Sequence, residues 1–514
     1  MTSTAALTLR SIISGLPTGS ETDSTFAPTN PLTGATLERF LEADKSTVDS
    51  AMIAAAASSA QFALTSPIQR AEFLREIARQ LEIVGEEIIE RAEQETGIST
   101  ARLTGELART TKQLNAFADF VATGEHHKRV FDSLPEGNPA RDLRRMALPI
   151  GVVVVFEASN FPLAFGTAGG DTAAALAAGC PVVAKAHPSH PGTSEIVALA
   201  IAAAIATVGL PAGVFALLQG STNELSEILV MHPTVAAVGF TGSHKVGRIL
   251  MNLAASREYP ISVHAEMGST NPVFITTAAL TKRRESIAVG LVGSIMLGSG
   301  QLCTKPGLIF VPEGTDGDSF VTTLATEFAS QIPIPLLNEG VRSHYVAAGI
   351  NRPRHPSLRV LATTSLGDGA NPVAGELIEV SWADARGDTM LLEERFGPAA
   401  VVARVPEDGF VDAADHLDGQ LTFTIHGELS DTKSLKALVE TLARRAGRVL
   451  WNGYPTGVAV SPAMTHGGPY PASSTASTSV GLAAIERFTR PVTFQDFPPE
   501  LLPATLTTPP SPIG

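Results

Sequence analysis

A thiol, a carboxylate, a carboxamide and a strand-end lysine stand in surroundings that suit covalent chemistry on a carbonyl group. Cys303 lies in Gly298-Ser299-Gly300-Gln301-Leu302-Cys303-Thr304-Lys305-Pro306, a glycine-flanked break after a helical stretch. An isolated cysteine is ordinarily a small buried hydrophobe. The polar, glycine-rich neighbours argue for an exposed thiol instead, and Lys305 or a helix terminus would favour its thiolate. Glu266, in Val263-His264-Ala265-Glu266-Met267-Gly268-Ser269, sits among apolar residues that would raise its proton affinity toward that of a general base near neutral pH. The plainer reading is a satisfied loop carboxylate. Asn160 follows a strand end in Glu157-Ala158-Ser159-Asn160-Phe161-Pro162, where its amide could donate to a developing oxyanion or simply close a turn. Lys185 ends Val182-Val183-Ala184-Lys185, where an ordinary solvated lysine is the alternative.

A further stretch, Thr241-Gly242-Ser243-His244-Lys245-Val246-Gly247, joins a strand to a helix, and its glycines would let a phosphate approach the backbone N–H groups and the positive helix end. No G-x-G-x-x-G follows the first strand at 151–156, so the commonest dinucleotide fingerprint is missing there. His264-Ala265-Glu266 opens a zinc deaminase signature whose P-C-x-x-C partner does not occur. His466-Gly467-Gly468-Pro469 resembles an esterase oxyanion loop, but the chain has no G-x-S-x-G elbow. The 12 histidines show no H-E-x-x-H or similar spacing, so no metal centre is expected.

The elements that must position these residues are legible from periodicity. Helical spacing runs through 48–62, 69–84 and 99–121. From there short β-branched runs at 151–156, 181–186, 214–219 and 235–240 alternate with helices at about 164–178, 193–208, 223–232 and 243–256. Near-continuous apolar strands joined by helices predict a parallel sheet covered on both faces. A second set follows, with helices at 280–297, 319–331 and 432–446 and strands at 308–311, 401–405 and 421–425, which predicts a second lobe. The 514 residues exceed what one core supports. A net charge of −14 without a basic stripe excludes nucleic acid as a partner. Two cysteines far apart exclude a disulfide framework and fit a reducing compartment. The N-terminal segment lacks the features of a secretory signal, and the apolar run 196–208 is too short to cross a membrane, so a cytoplasmic protein without membrane contact is expected.

In this order the motifs resemble the aldehyde dehydrogenase superfamily over roughly residues 26–506. The matching pieces are Ser159-Asn160-Phe161-Pro162, Val182-Val183-Ala184-Lys185, Gly239-Phe240-Thr241-Gly242-Ser243, Glu266-Met267-Gly268, Gly300-Gln301-Leu302-Cys303 and Glu394-Arg395-Phe396-Gly397-Pro398. Ala168-Gly169-Gly170-Asp171-Thr172, the stretch from Ala186 to Thr193, and Asn452-Gly453-Tyr454-Pro455-Thr456-Gly457-Val458 with the later His466-Gly467-Gly468-Pro469-Tyr470-Pro471 are similar to the branch of 2,5-dioxovalerate (α-ketoglutaric semialdehyde) and bacterial NADP-dependent fatty aldehyde dehydrogenases.

The resemblance implies two Rossmann-like parallel-sheet lobes with a small oligomerisation element. Residues 1–127 and 149–266 would bind the dinucleotide, 267–452 would form the catalytic domain, 128–148 and 480–500 would bridge subunits of a homodimer or homotetramer, and 501–514 would be a flexible tail. It implies Cys303 as nucleophile, Asn160 and the Cys303 N–H as oxyanion donors, and Glu266 as the base that activates water. Glu394 would meet the nicotinamide ribose, Phe396 the ring, Lys185 the adenosine ribose, and Gly242 and Ser243 the pyrophosphate, with Phe156, Ser159 and Gly247 completing the cofactor surface. Pro188 stands where NAD-preferring members carry an acid, which removes a repulsion against a 2′-phosphate and favours NADP, with NAD usable. Glu157 is an acid where small residues are usual, and facing the cofactor it would disfavour that phosphate. The expected substrate is α-ketoglutaric semialdehyde, yielding 2-oxoglutarate. Fatty or other aliphatic aldehydes are the alternative, CoA-acylating release is a weaker one, and a non-redox thiol esterase or inactive ligand-binding relative is the reading from another class.

Overall fold

The computed structural model describes residues 7–19, 24–138, 140–350 and 355–507. The first lobe is a sheet of seven strands in the order Ser262–Glu266, Val235–Thr241, Val152–Phe156, Val182–Lys185, Phe215–Leu218, Ser11–Ile13, Leu16–Thr18. Its first five strands are parallel, and the N-terminal hairpin adds an antiparallel edge. The strand Val152–Phe156 is buried at every position. Val153 and Val155 enter one core cluster while Val152, Val154 and Phe156 enter another. A two-residue period with helices on both faces explains why this strand has no polar alternation.

The second lobe repeats the plan, in the order Arg359–Thr363, Glu376–Ser381, Ala399–Val405, Leu308–Pro312, Val273–Ile275, Gln420–His426, Ala446–Trp451. All its pairings are parallel except the outermost one, between Arg359–Thr363 and Glu376–Ser381. A separate sheet joins Thr489–Gln495, Asp142–Pro149 and Val130–Ser133. The architecture is therefore α/β with two Rossmann-like lobes and a small third sheet.

Several boundaries differ from the sequence reading, each for a local reason. The helix expected at 164–178 begins only at Gly170. A Cβ at Gly169 would lie 2.6 Å from Ala164 O, so the chain makes a tight turn there. The stretch 432–446 is helical only over Lys436–Ala443 and then enters the half-exposed strand Ala446–Trp451. The hairpin Ser11–Ile13/Leu16–Thr18, the helix Gly85–Thr96 and the strands Arg359–Thr363 and Glu376–Ser381 were not anticipated.

The apolar helix is longer than its apolar run, Pro191–Val208, and reaches 18 residues. That is enough by length and composition to cross a membrane, but 67% of it is buried in the protein, as in a core helix. Glu95 accepts bonds from Gly192 N and Thr193 N at 2.8 and 2.9 Å, placing a carboxylate at its positive end. The expected flexible tail is ordered over 501–507, where Leu502 and Leu506 are buried against Met146, because their apolar side chains cover the third sheet. Residues 508–514 of that expectation lie outside the described residues.

Candidate active site

Parallel register sets the first half of the site. Phe156 pairs with Lys185 and with Phe240, and Thr241 pairs with Glu266, so four strands end at one level. Ligands of open α/β sheets bind beyond such carboxyl ends. Ser159 and Asn160, both half-buried, follow directly in a loop held from the helix Thr100–Ala122. Arg102 Nη2 donates to Asn160 O at 2.7 Å, and Glu106 Oε1 accepts from Leu163 N and Ala164 N, each at 2.9 Å. Asn160 donates one amide hydrogen to Gln301 O at 2.9 Å, which leaves the second.

Cys303 comes from the second lobe. Gly298, Ser299 and Gly300 carry φ of 57°, 54° and 69°, a left-handed run in which a Cβ at Gly300 would lie 2.1 Å from Gly397 O. Asn271 Nδ2 then ties the loop down by donating to Cys303 O and Lys305 O at 2.8 and 3.0 Å. The thiol is half-buried, whereas Cys180 is sealed, donates to Phe488 O and has its pKa pushed up by burial to about 11.

The cation beside the thiol is neither of those expected. Lys305 is buried with Nζ donating to Arg395 O and Ala399 O at 2.9 and 2.7 Å, and the helix Thr277–Met296 leads into the loop by its electronegative C-terminus. Instead His466 Nε2 lies 3.4 Å from Cys303 Sγ and 2.9 Å from Glu266 Oε1, the latter an ion-pair distance outside hydrogen-bond alignment. Both His466 and Glu266 are almost fully buried. Ser479 Oγ donates to Glu266 Oε2 and to His466 O. Burial disfavours charge on His466, but Glu266 and Cys303 outweigh it and carry the imidazole up to about 10. The raised proton affinity expected of Glu266 is overturned: burial pushes it up, yet His466 and Ser479 prevail and hold the carboxyl below its ordinary value. The sulfur, imidazole and carboxylate donor atoms lie within 4.8 Å of one another.

The other expected residues distribute along the same edge. Lys185 is buried beside Glu157 and Glu42, and burial lowers it to about 8. Glu157 turns inward, accepting from Thr167 Oγ1, Ser194 Oγ and His187 N at 2.5, 2.6 and 3.4 Å. The Gly242 N–H is spent on Glu266 O at 3.0 Å, so Gly242 joins two strand ends instead of presenting a free donor. Ser243 caps the helix His244–Ser256 by accepting from Val246 N. A Cβ at Gly247 would lie 2.6 Å from Met267 Sδ, which lets helix and strand approach closely. Phe156 is buried with its ring 6.4 Å from that of Phe240. Phe396 is half-buried. Glu394 keeps Oε1 buried without a partner among the described residues, and burial outweighs nearby Lys305 to raise it to about 7.

Comparison with known proteins agrees with this geometry. The model of the aldehyde dehydrogenase family matches residues 18–494. Among relatives, alpha-ketoglutaric semialdehyde dehydrogenase 2 of Azospirillum brasilense is 46% identical over 445 residues, 85% of this chain and 84% of that protein. Alpha-ketoglutaric semialdehyde dehydrogenase of Acinetobacter baylyi is 44% identical over 478 residues, 91% of this chain and 90% of that one. In fold, methylmalonate-semialdehyde dehydrogenase of Oceanimonas doudoroffii superposes with a TM-score of 0.81 at 20% identity, over 96% of this chain and 99% of its own. With its matching model spanning most of its length and both lobes in place, the chain belongs to the aldehyde dehydrogenase family.

Proposed function

We propose that the protein oxidises α-ketoglutaric semialdehyde to 2-oxoglutarate through a covalent adduct on Cys303. The observation that carries this is the contact chain from Cys303 Sγ through His466 Nε2 to Glu266 Oε1. The imidazolium of His466, stabilised by Glu266, stands against the sulfur and favours its attack as a nucleophile. The thiolate adds to the aldehyde carbon, and the oxygen charge that develops is met by the second amide hydrogen of Asn160 and the Cys303 N–H. When bound, a nicotinamide dinucleotide supplies the acceptor for the hydride. Water then attacks the thioester, its proton passing to the Glu266–His466 pair, and the acid leaves as the thiolate returns.

The residues present fit such a cofactor: Lys185 and Ser243 stand at the carboxyl edge, and the unpartnered Glu394 Oε1 is an acceptor suited to a ribose hydroxyl. Pro188, together with the inward turn of Glu157, supports a preference for NADP with NAD also used. The substrate reading is supported by the two mid-forties relatives. We assign residues 128–148 and 480–500, which build the third sheet, to subunit contact in a cytoplasmic homodimer or homotetramer.

The test is NADPH formation with the semialdehyde. Cys303→Ala should abolish it, and Glu266→Gln should release one equivalent per site and then stall as the thioester. Aldehyde-independent ester cleavage alone, or steady turnover by Glu266→Gln, would overturn the reading. The donors at Cys303, His466 and Glu266 are also of the types that bind zinc. Full activity after EDTA treatment is expected from the proton-relay assignment.

A further inference from the structure

The guanidinium groups of Arg109 and Arg448 feel the charge of the thiol, Arg102 stands behind Asn160, and their hydrogen bonds tell the three apart. Arg102 gives Nη2 to Asn160 O at 2.7 Å. Arg448 gives Nη1 to Gly457 O and Nη2 to Pro455 O at 3.0 and 2.5 Å. Both serve to hold loops. Among the described residues Arg109 gives only Nε, to Val458 O at 3.3 Å, and its Nη1 and Nη2 are buried without a partner. Two adjacent unsatisfied donors on a buried planar cation are costly by themselves, and their fork matches the two oxygens of a carboxylate.

The location of Arg109 is equally specific. It projects from the helix Thr100–Ala122, the element that pins the Asn160 loop. Its Cζ lies 5.3 Å over the Phe165 ring, and that ring is 6.3 Å from the ring of His466. The Phe165 ring therefore neighbours both the guanidinium and the imidazole that touches Cys303. The charge of Glu106, one turn away, reaches Arg109 most strongly and those of Cys303 and Glu266 follow; Glu106 commits Oε1 to backbone N–H groups and makes no hydrogen bond to the guanidinium. A short chain of methylenes spanning from the sulfur would lie along Phe165 and end at the free fork.

We propose that Arg109 is a specificity-determining residue that receives the distal carboxylate of the substrate on Nη1 and Nη2, selecting aldehydes that carry an acid at their far end over uncharged aldehydes of equal length. The inference rests on the assignment of Cys303 as nucleophile.

The experiment compares 5-oxopentanoate with pentanal in the wild type, Arg109→Met and Arg109→Lys. In Arg109→Met the ratio of kcat/KM for 5-oxopentanoate to that for pentanal should fall about 30-fold, mostly through KM, as loss of a charge-assisted pair predicts. Arg109→Lys, which keeps the charge and most of the volume, should recover part of that ratio. A second reading uses no turnover: glutarate should slow iodoacetamide alkylation of Cys303 in the wild type and not in Arg109→Met. An unchanged ratio with undiminished glutarate protection overturns the role of Arg109, as does equal loss on both aldehydes. A wild type inactive on both aldehydes would instead overturn the Cys303 assignment.

Discussion

His466 sets the sign of two neighbouring charges, and its removal should be visible as a change in pH dependence. In His466→Phe the buried Glu266 loses the largest of the groups that hold its carboxyl down, leaving Ser479 and Arg487 to oppose burial, and its pKa moves upward. The wild-type rate of thioester hydrolysis should be level across weakly acidic to neutral pH. The variant should gain a limb that rises with pH as Glu266 ionises, displaced upward from the wild type and measured as steady-state kcat against pH. Alkylation of Cys303 by iodoacetamide should slow by about tenfold, because the sulfur loses the cation 3.4 Å away. The linkage to stability has the opposite direction. A histidine raised from 6.5 to about 10 in the folded state stabilises fully below pH 6.5 and loses that contribution as pH climbs to about 10. The difference in Tm between wild type and His466→Phe should therefore shrink over that window. A second substitution addresses the cofactor. Pro188→Glu would place a carboxylate where a 2′-phosphate is expected and should lower kcat/KM with NADP relative to NAD by about tenfold. Local motifs made Cys303, Glu266 and Asn160 legible in the sequence, since each sits in a distinctive run of neighbours. The partner of the thiol was not legible, because His466 is 163 residues away and its own Gly-Gly-Pro context points to no cysteine. The proton affinity of Glu266 was misjudged for the same reason: Val263, Ala265 and Met267 are visible beside it, while His466 and Ser479 arrive only through the fold.

At the scale of elements, buried charges at helix ends hold the first lobe in register. Arg70, on the helix Pro67–Ile83, is almost wholly buried and among the described residues hydrogen-bonds to no carboxylate. It donates to Ala178 O at 3.2 Å, to Ala63 O at 3.2 Å and to Thr65 O at 3.3 Å, collecting the terminal carbonyls of the helices Gly170–Ala178 and Lys45–Ala63. Those carbonyls have no intrahelical partner and form the electronegative ends of two dipoles, so one cation answers both. The turn at Gly179 belongs to the same device: its φ is 94°, and a Cβ there would lie 2.8 Å from Arg70 Cζ. Arg70→Met should leave the carbonyls unsatisfied and cost about 3 kcal/mol, read as a lowered midpoint in urea with unchanged slope. Little of this was visible beforehand. The periodicity of 69–84 marked a helix with one inward face, but an arginine on that face looks like a surface residue until three chain segments meet around it. The parallel strands were legible because burial on both faces removes polar alternation. The half-exposed strand Ala446–Trp451 was absorbed into the preceding helical pattern since its alternation is weak and its start follows Ala443 closely.

At the scale of the whole molecule, the site belongs to neither lobe alone. Glu266 ends the last strand of the first lobe, Cys303 sits in a loop of the second, and His466 and Ser479 come from the segment that returns after Ala446–Trp451. That returning segment is pinned to the first lobe along its backbone. Met267 N donates to Ala472 O at 2.8 Å, Ser474 N donates to Ala265 O at 2.9 Å, and Ala265 N donates to Ser474 Oγ at 2.8 Å. Gln420 makes the complementary link from the second lobe, its Oε1 accepting from Ser269 Oγ and Thr270 N at 2.8 and 2.9 Å, where the chain crosses between lobes. Opening one lobe must break these bonds and expose the buried Glu266–His466 pair, so unfolding should be a single cooperative event. A dinucleotide bound by the first lobe, as proposed, would then stabilise everything. At a free NADP concentration of about 100 times its dissociation constant the gain is about 2.7 kcal/mol, which for a chain of this size raises Tm by about 2 to 3 °C. Calorimetry should show one transition that moves as a whole on adding NADP. Two transitions, only one of them moved by the nucleotide, would mean that the returning segment does not couple the lobes and that the alignment of Cys303 with His466 is maintained by each lobe separately.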